Sequence, residues 1–241
     1  MGANRSKPER ANLLALMRVM ASGERAEALR MLDASAELVR ARLTVGASRQ
    51  AARDYFLTPI SHYVYDGDTA LHVAAAAFDA PLVRRLLELG ADVGATNRRG
   101  AQPLHYASDA NRVAPNAQAA TIRCLCEAGA HANALDKSGV APLHRAVRTR
   151  GAAAVEALLA AGADVRLKNK TGSTPLHLAV QNTGRGGSGE AAAVERQRAI
   201  ILSLLGRGAS LADRDGSKRT VVQAAQSDWI RAMLAERSSS R

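Results

Sequence analysis

Aromatic residues are scarce in this chain, since phenylalanine, tryptophan and tyrosine make up 3% of its 241 residues. This scarcity argues against a core built from large rings. It also argues against a single-stranded nucleic-acid platform, which stacks bases on aromatic side chains. Alanine and the aliphatic residues must fill the core instead, and the hydrophobic content of 47% is ordinary for a soluble protein.

Cysteine is rarer still, with only Cys124 and Cys126 in the sequence. Two cysteines cannot make a disulfide framework, which favours a reducing compartment. They are two positions apart on a predicted helix and no second pair exists, so we expect no metal site there. From their positions on that helix we expect Cys126 to be buried and Cys124 to be partly exposed.

Long apolar runs are also absent, because no window approaches 18 uninterrupted apolar residues. The one early apolar stretch, residues 13–20, is interrupted by Arg18 and lacks a small-residue cleavage site. The sequence therefore predicts a soluble, unsecreted protein that is cytoplasmic and has no membrane association.

Acidic residues are outnumbered, with 22 Asp and Glu against 33 Lys and Arg, and the formal net charge is +11. The excess is spread along the chain without a run of five like charges, so it does not resemble a nucleic-acid-binding arm. Such a surface favours acidic partners or polyanions, and charge alone does not choose between them.

The chain does contain an internal repeat. One pattern begins at Gly67, Gly100, Gly139 and Gly172, at spacings of 33, 39 and 33 residues. Its four occurrences read GDTALHVA, GAQPLHYA, GVAPLHRA and GSTPLHLA. Each is followed by an apolar stretch of helical periodicity that ends in Gly-Ala, so we predict two short helices per repeat.

These residues resemble the ankyrin repeat family, which shares the period of about 33 residues and the T-P-L-H-x-A signature. The resemblance covers residues 66–235, and only the fourth repeat carries the full Thr174-Pro175-Leu176-His177. It implies an all-α solenoid of stacked helix–turn–helix repeats with hairpin loops. A divergent N-terminal helical cap would precede the stack and a degenerate C-terminal capping repeat would close it. Helix capping should be weaker where the threonine hydroxyl is missing.

The predicted organisation divides the chain into eight segments. They are a polar tail (1–9), a divergent N-terminal helical unit with an aromatic-rich linker (10–65), repeat 1 (66–96), repeat 2 with a 6-residue insertion (97–135), repeat 3 (136–168), repeat 4 with a 13-residue insertion (169–212), a capping repeat (213–236) and a tail (237–241). Both insertions are expected at the turn between the two helices. In the N-terminal unit, Ser35 is a candidate cap for a third helix that extends to Arg42. The linker aromatics either cover the open edge of repeat 1 or form a partner pocket.

Four histidines occur once per repeat, at the same position of the pattern. They are His72, His105, His144 and His177. In stacked repeats they would be about 10 Å apart, which is too far for a shared metal ion. The resemblance implies that they are structural and form hydrogen bonds within and between repeats.

Two short motifs have competing explanations. Residues 184–189 match G-x-G-x-x-G, but they follow a predicted helix rather than a strand and no phosphate-binding lysine is present. We therefore interpret them as a flexible insertion, and the alternative is a loop that contacts a partner or ligand. Residues 1–6 satisfy the minimal myristoylation pattern, which is short enough to occur by chance.

No constellation of nucleophile, base, paired acids or metal ligands remains unexplained by the repeat, so we predict neither catalysis nor a cofactor. The resemblance instead implies a monomeric protein-binding scaffold whose hairpin tips and inner helices form a concave surface. The candidate partner-binding residues are Arg98, Arg99, Asp109, Lys137, Ser138, Val140, Arg148, Lys170, Thr171 and Gln181.

Cations at the hairpin tips favour an acidic or mixed-charge segment of another protein, whose identity the sequence does not reveal. The alternative is the binding of a polyanion, nucleic acid in particular, through the same basic row. The residues directly after the repeat glycines, among them Asp68, Ala101 and Ser173, are also expected on this surface.

Overall fold

The computed structural model describes residues 7–109, 114–181 and 190–239, with side chains given between 12 and 237. The myristoylation pattern at residues 1–6 and the glycine-rich motif at 184–189 lie outside the described residues. Among the helices that are described, none combines the length and the apolar character needed to cross a membrane.

The described residues form twelve α-helices and one short antiparallel strand pair. The helices of the N-terminal half are α1 (Lys7–Ala21), α2 (Arg25–Ala34), α3 (Ala70–Ala76), α4 (Ala80–Glu88), α5 (Pro103–Ala107) and α6 (Pro115–Glu127). Those of the C-terminal half are α7 (Pro142–Arg148), α8 (Ala152–Ala160), α9 (Pro175–Ala179), α10 (Ala191–Gly206), α11 (Val221–Ala224) and α12 (Asp228–Ser239). The strands are β1 (Phe56–Leu57) and β2 (His62–Tyr63), in which Phe56 is opposite Tyr63.

Each repeat pairs a short inner helix with an outer helix. The inner helices α3, α5, α7 and α9 contain the Leu-His dipeptide, and their leucines are at most 1% exposed. These leucines are Leu71, Leu104, Leu143 and Leu176. Proline at the first position of α5, α7 and α9 suits a helix start, because that residue has no intrahelical acceptor for an N–H. The all-α repeat fold predicted from the sequence is therefore confirmed.

The chain divides into two compact units. The first unit comprises residues 1–107 and 120–131, and the second comprises residues 108–119 and 132–241. In the first unit, α3 packs against α1, α4 and α5. In the second unit, α7 packs against α8 and α9, and α10 packs against α8 and α9.

The turns between helix pairs are hairpins organised by one Asn or Asp side chain each. In each hairpin the Oδ1 atom accepts hydrogen bonds from the backbone N–H groups two and four residues later, at 2.8–3.1 Å. The four side chains are Asn97, Asp136, Asn169 and Asp215. Because these bonds fix the backbone, the residue directly after each Asx side chain is at the tip of its hairpin.

The insertions of repeats 2 and 4 are not confined to the turn between helices, so that prediction was wrong in part. Helix α6 has 13 residues, whereas α4 in the repeat before it has 9. Helix α10 has 16 residues, whereas α8 has 9. Part of each insertion therefore lengthens the outer helix at its N-terminus. Pro115 suits the first position of α6. The alanines at 191–193 have a high helix propensity, which favours the extension of α10.

The predicted third helix of the N-terminal unit is also wrong. A single 3₁₀ turn, Ala36–Val39, takes its place, and the Ser35 side chain makes no capping hydrogen bond. After this 3₁₀ turn, the backbone pairs with the turn that precedes α3. Leu43 N donates to Asp68 O at 2.8 Å, and Gly67 N donates to Leu43 O at 2.7 Å. These bonds satisfy the backbone of Leu43 outside a helix, and residues 41–43 belong to no helix.

The two cysteines show the opposite of the predicted exposure. Cys124 is 6% exposed, whereas Cys126 is only half-buried. Cys124 aligns with Arg85, whose long side chain reaches solvent, and with Ala157, which is 5% exposed. A short side chain at this position is covered by its neighbours. Burial raises the pKa of the Cys126 thiol to about 11, so the reactive thiolate is disfavoured at neutral pH.

Thr121 provides a test of packing in the first unit. Its side chain is fully buried in α6, and its hydroxyl has no hydrogen-bond partner among the residues that the structure describes. Thr121→Val keeps the shape and removes the unpaired hydroxyl, so we expect the free energy of unfolding to rise by about 1 kcal/mol. Urea denaturation followed by far-UV circular dichroism measures this, with Thr121→Ser, which keeps the hydroxyl, as the control. A Thr121→Val protein that is no more stable than the wild type would contradict the assignment.

Candidate functional site

The hairpin cations of the first unit are exposed but attached to the aromatic linker. The guanidinium groups of Arg98 and Arg99 lie 5.3 and 5.1 Å from the centre of the Tyr65 ring. Arg99 Nη1 donates to Tyr65 Oη at 3.0 Å, and Arg98 Nη2 donates to the carbonyl of Ala47. Neither guanidinium therefore extends freely into solvent as the sequence analysis assumed.

The linker itself has a buried side and an exposed side. Tyr55 and Val64 are buried, whereas Tyr63 is 40% exposed and stacks on Phe56 with ring centres 4.7 Å apart. The aromatic residues thus contribute to the core of the first unit and also to its surface.

Asp68, expected on the concave surface, is fully buried. Its Oδ2 atom accepts hydrogen bonds from Tyr65 N at 2.6 Å and Tyr106 Oη at 2.7 Å. Asn97 Nδ2 donates to Asp68 Oδ1 and to Tyr106 Oη, both at 2.9 Å. We name Asp68, Asn97 and Tyr106 the buried polar cluster. The sequence analysis missed this cluster, although tyrosine after the Leu-His dipeptide, where the other repeats have Val, Arg or Leu, was a signal that could have revealed it.

An ion-pair network occupies the corresponding position in the second unit. Arg145 takes the place of Tyr106, and its guanidinium donates to Asp109 Oδ2 and Asp136 Oδ2, each at 3.1 Å. Burial opposes ionisation of Asp136, but hydrogen bonds from Val140 N, the Arg145 guanidinium and Ser138 N together keep the pKa of this carboxyl below its usual range. The Asp109 carboxylate is therefore bound by Arg145 and is not free on the concave surface, where the sequence analysis expected it.

Two other predicted site residues are half-buried. Val140 N donates to Asp136 Oδ1 at 3.0 Å, which holds this residue against its hairpin. The Gln181 carbonyl accepts from Gln197 Nε2 at 3.3 Å. The residues after the repeat glycines are also mostly hidden, because Ala101 is 1% exposed and Ser173 is 6% exposed.

The remaining predicted residues are exposed on the second unit. These are Lys137, Ser138, Arg148, Lys170 and Thr171. Lys137 and Lys170 directly follow the Asx side chains that organise their hairpins. The Thr171 hydroxyl is engaged locally, since Oγ1 donates to Asn169 Oδ1 at 2.7 Å.

Three exposed cations that the sequence analysis did not include lie on the hairpins of Asn169 and Asp215 in the second unit. Lys168 and Arg214 each directly precede an Asx side chain, and Lys218 occupies the position of the repeat glycine. We name Lys137, Lys168, Lys170, Arg214 and Lys218 the basic hairpin face. Alignment of the residues before each Asx would have revealed two of them, because that position reads Leu135, Lys168 and Arg214 along the second unit.

The three hairpins of the basic hairpin face contact one another directly. A Cβ atom added at Gly139 would lie 2.9 Å from Lys170 N, and one added at Gly172 would lie 2.5 Å from Gly216 N. Gly216 N also donates to Thr171 O at 2.9 Å. The tips are therefore stacked in register, and we refer to the cations along this stack of hairpins as a row.

The acidic side chains of these hairpins do not neutralise this row. Asp136 pairs with Arg145, Asp213 pairs with Arg166 at 2.6 Å, and Asp215 pairs with Arg219 at 2.8 Å. None of the four lysines of the basic hairpin face makes an ion pair with any residue that the structure describes. The surface thus presents several unmatched positive charges.

The repeat histidines lie beneath the hairpins, buried and neutral. Their Nδ1 atoms accept a hydrogen bond from the backbone N–H three residues earlier at 3.1–3.3 Å. The Nε2 atoms of His72, His144 and His177 lie 3.1–3.3 Å from the carbonyls of Ala101, Ser173 and Arg219 respectively. Because a carbonyl only accepts, Nε2 carries the proton. In the part of the chain with described side chains, no group of three or more His, Cys, Asp or Glu is placed to hold a metal ion.

Paired inner and outer helices, buried Leu-His dipeptides and Asx-organised hairpins define a helical repeat protein. A family model of ankyrin repeats in three copies matches residues 111–215, and a model of ankyrin repeats in many copies matches residues 56–107. The two matches together span well over half of the chain, which belongs to the ankyrin repeat family. Members of this family generally mediate protein–protein interactions and are generally non-catalytic. No curated protein matches the chain.

The neutral histidines predict a pH dependence of stability. Burial lowers the pKa of His72 and His144 below the ordinary value of 6.5. The unfolded chain therefore binds more protons than the native protein once the pH falls below about 6.5. The free energy of unfolding should then fall by up to about 1.4 kcal/mol per pH unit for each histidine, until the pH reaches its native pKa.

Urea denaturation between pH about 7.5 and about 5.5 measures this slope. His144→Gln is the matched control, because Gln223 occupies the histidine position in the capping repeat and accepts from Thr220 N at 2.9 Å. This variant should show a shallower slope than the wild type. A stability that is constant down to pH about 5.5 would contradict the neutral assignment.

The N-cap hydroxyls allow a second test in the second unit. Thr174 Oγ1 accepts from His177 N and lies 2.8 Å from His177 Nδ1, whereas Ala141 at the same repeat position has no hydroxyl. We expect Ala141→Thr to raise the free energy of unfolding by about 1 kcal/mol and Thr174→Ala to lower it by about the same amount. Fluorescence of Trp229, the only tryptophan, during urea denaturation measures both changes. A destabilised Ala141→Thr protein would show that this cap has no room for threonine.

Proposed function

We propose that the chain is a non-catalytic scaffold and that its basic hairpin face binds an acidic or mixed-charge segment of another protein. The observation that supports this proposal is the set of exposed cations on three stacked hairpins whose neighbouring carboxylates are already paired. Ankyrin repeats generally bind proteins, which agrees with this use of the surface. We further propose that the scaffold acts in the cytoplasm as a monomer.

Electrostatics supports a multivalent contact more than any single ion pair. One exposed pair contributes about 0–1 kcal/mol, so no lysine of the basic hairpin face would hold a partner alone. Several cations in one row attract an acidic segment from a distance and discourage basic competitors. The second unit carries 18 basic and 10 acidic residues, which adds to this field.

The other exposed candidates of the second unit belong to the same proposed surface, and those of the first unit are proposed separately. Ser138 and Thr171 are next to the tip lysines and offer small polar contacts, and Arg148 adds a cation at the end of α7. In the first unit, Arg98 and Arg99 remain candidates through the N–H groups that Tyr65 and Ala47 do not occupy. Asp109, Val140 and Gln181 are proposed only as supports, since each is half-buried.

Charge reversal tests the face. The triple variant Lys137→Glu, Lys168→Glu and Lys170→Glu should weaken partner binding by at least about tenfold, because it replaces three attractions with repulsions. Its thermal stability should stay close to that of the wild type, since these side chains are exposed and make no ion pairs among the described residues. Affinity capture from an extract of the native host, followed by mass spectrometry and titration of each captured protein, measures the effect.

The control carries the same change of charge elsewhere. It is the triple variant Arg49→Glu, Arg84→Glu and Arg123→Glu, at three other exposed positions. Proteins lost with the first variant but retained with the control support the proposal. Capture of the same proteins by both variants would contradict it.

The alternative function, polyanion binding through the same row, has its own measurement. Nucleic-acid affinity depends on counterion release and falls steeply as the salt concentration rises. Titration of fluorescent DNA at two salt concentrations therefore separates the alternatives. DNA binding at physiological salt that the first triple variant abolishes would replace the protein-binding proposal.

A further inference from the structure

The spacing of the basic hairpin face contains information about the shape of its ligand. Successive hairpins are stacked in register, as the Gly139–Lys170 and Gly172–Gly216 approaches show. Stacked helices have axes about 8–10 Å apart, so each hairpin is displaced from the next by about this distance. Lys137 and Lys170 occupy the same position on consecutive hairpins and therefore repeat at that interval.

An extended chain matches this interval with three residues. The rise is about 3.3 Å per residue in a strand and about 3.1 Å in a polyproline II helix, so three residues span about 9–10 Å. A polyproline II helix also has three residues per turn, which places every third side chain on one side. An α-helix advances only about 1.5 Å per residue and needs about six or seven residues for the same distance.

An apolar side chain lies at one end of the row. Leu135 is 49% exposed, and together with Val45 and Tyr63 it is one of the three large hydrophobic residues that are exposed in the described part of the chain. It belongs to the same hairpin as Lys137. The position that it occupies is filled by Lys168 and Arg214 in the next two hairpins. The surface therefore offers one apolar contact followed by cations.

We propose that the partner segment is extended, that its acidic side chains are three residues apart, and that an apolar side chain next to the terminal acidic residue packs on Leu135. The proposal rests on the proposed function and specifies its ligand. Charge complementarity selects the acidic residues, the hairpin interval selects their spacing, and the exposed leucine selects the apolar residue. No tryptophan, tyrosine or phenylalanine occurs on these hairpins, so stacking of nucleic-acid bases has no support there.

Synthetic peptides of equal length and composition test the spacing. In the first peptide three glutamates are separated by two small neutral residues, in the second the glutamates are contiguous, and in the third they are separated by six residues. Each carries a leucine beside one terminal glutamate, and versions with the leucine at either end cover both chain directions. Fluorescence anisotropy with the full chain measures the affinities. We expect the first peptide to bind at least about tenfold more tightly than the other two.

Protein variants connect that preference to the named residues. Lys170→Glu should weaken the first peptide at least about tenfold and should remove its advantage over the contiguous peptide. Leu135→Ser should abolish the benefit of leucine over serine in the peptide. Arg84→Glu, at an exposed position on the outer helix α4, is the matched control and should change neither result.

The outcomes separate the two proposals. Equal or tighter binding of the contiguous peptide, with loss of binding in Lys170→Glu, would overturn the spacing and leave the acidic-ligand function standing. Tightest binding of the third peptide would overturn the extended shape in favour of a helix. A fluorescent thymidine oligonucleotide is titrated in the same assay as the nucleic-acid probe. If no peptide binds, or if only this oligonucleotide binds, both proposals fail.

Discussion

Neutral imidazoles link successive repeats of this protein, and much of the structure depends on them. In three of the repeats the histidine accepts a backbone N–H at Nδ1 and donates from Nε2 to a carbonyl of the next hairpin, that of Ala101, Ser173 or Arg219. One side chain thus fixes the start of its own helix and the position of the next hairpin. These histidines are buried, and an unpaired donor or acceptor at a buried position would be costly. They also explain why residues such as Ala101 and Ser173 are buried rather than exposed.

The same framework determines which side chains reach solvent. The Asx side chains satisfy the backbone of every hairpin and direct the following residue outwards, so the tip positions are free to vary without cost to the fold. In the second unit two of these three positions are occupied by lysine, Lys137 and Lys170, and the nearby carboxylates are committed to Arg145, Arg166 and Arg219. The positive surface is therefore a consequence of how the internal ion pairs are arranged as much as of the net charge.

The sequence predicted those features that one repeat determines by itself. The Leu-His dipeptide and the Gly-Ala ending recur in each of the four clear repeats, so the inner helices, the outer helices and the buried leucines followed from pattern alone. It did not predict features that depend on contacts between repeats. Asp68 looked like a surface residue because its partners, Asn97 and Tyr106, lie 29 and 38 positions further along the chain. The prediction of a third N-terminal helix was wrong for the same reason, because the backbone partners of Leu43 are Gly67 and Asp68.

The buried polar cluster restricts how this protein could have been assembled by duplication. Asp68 comes from one repeat, and Asn97 and Tyr106 come from the next, while their counterparts in the second unit are Asp136 and Arg145. A recombination event that replaced the second of these repeats by another would remove Asn97 and Tyr106. The Asp68 carboxylate would then lose the hydrogen bonds that these two side chains donate. A buried polar group without its hydrogen-bond partners costs about 1–3 kcal/mol, a substantial part of the stability of most domains. Ancestral shuffling at this boundary would have been tolerated only when adjacent repeats were inherited together.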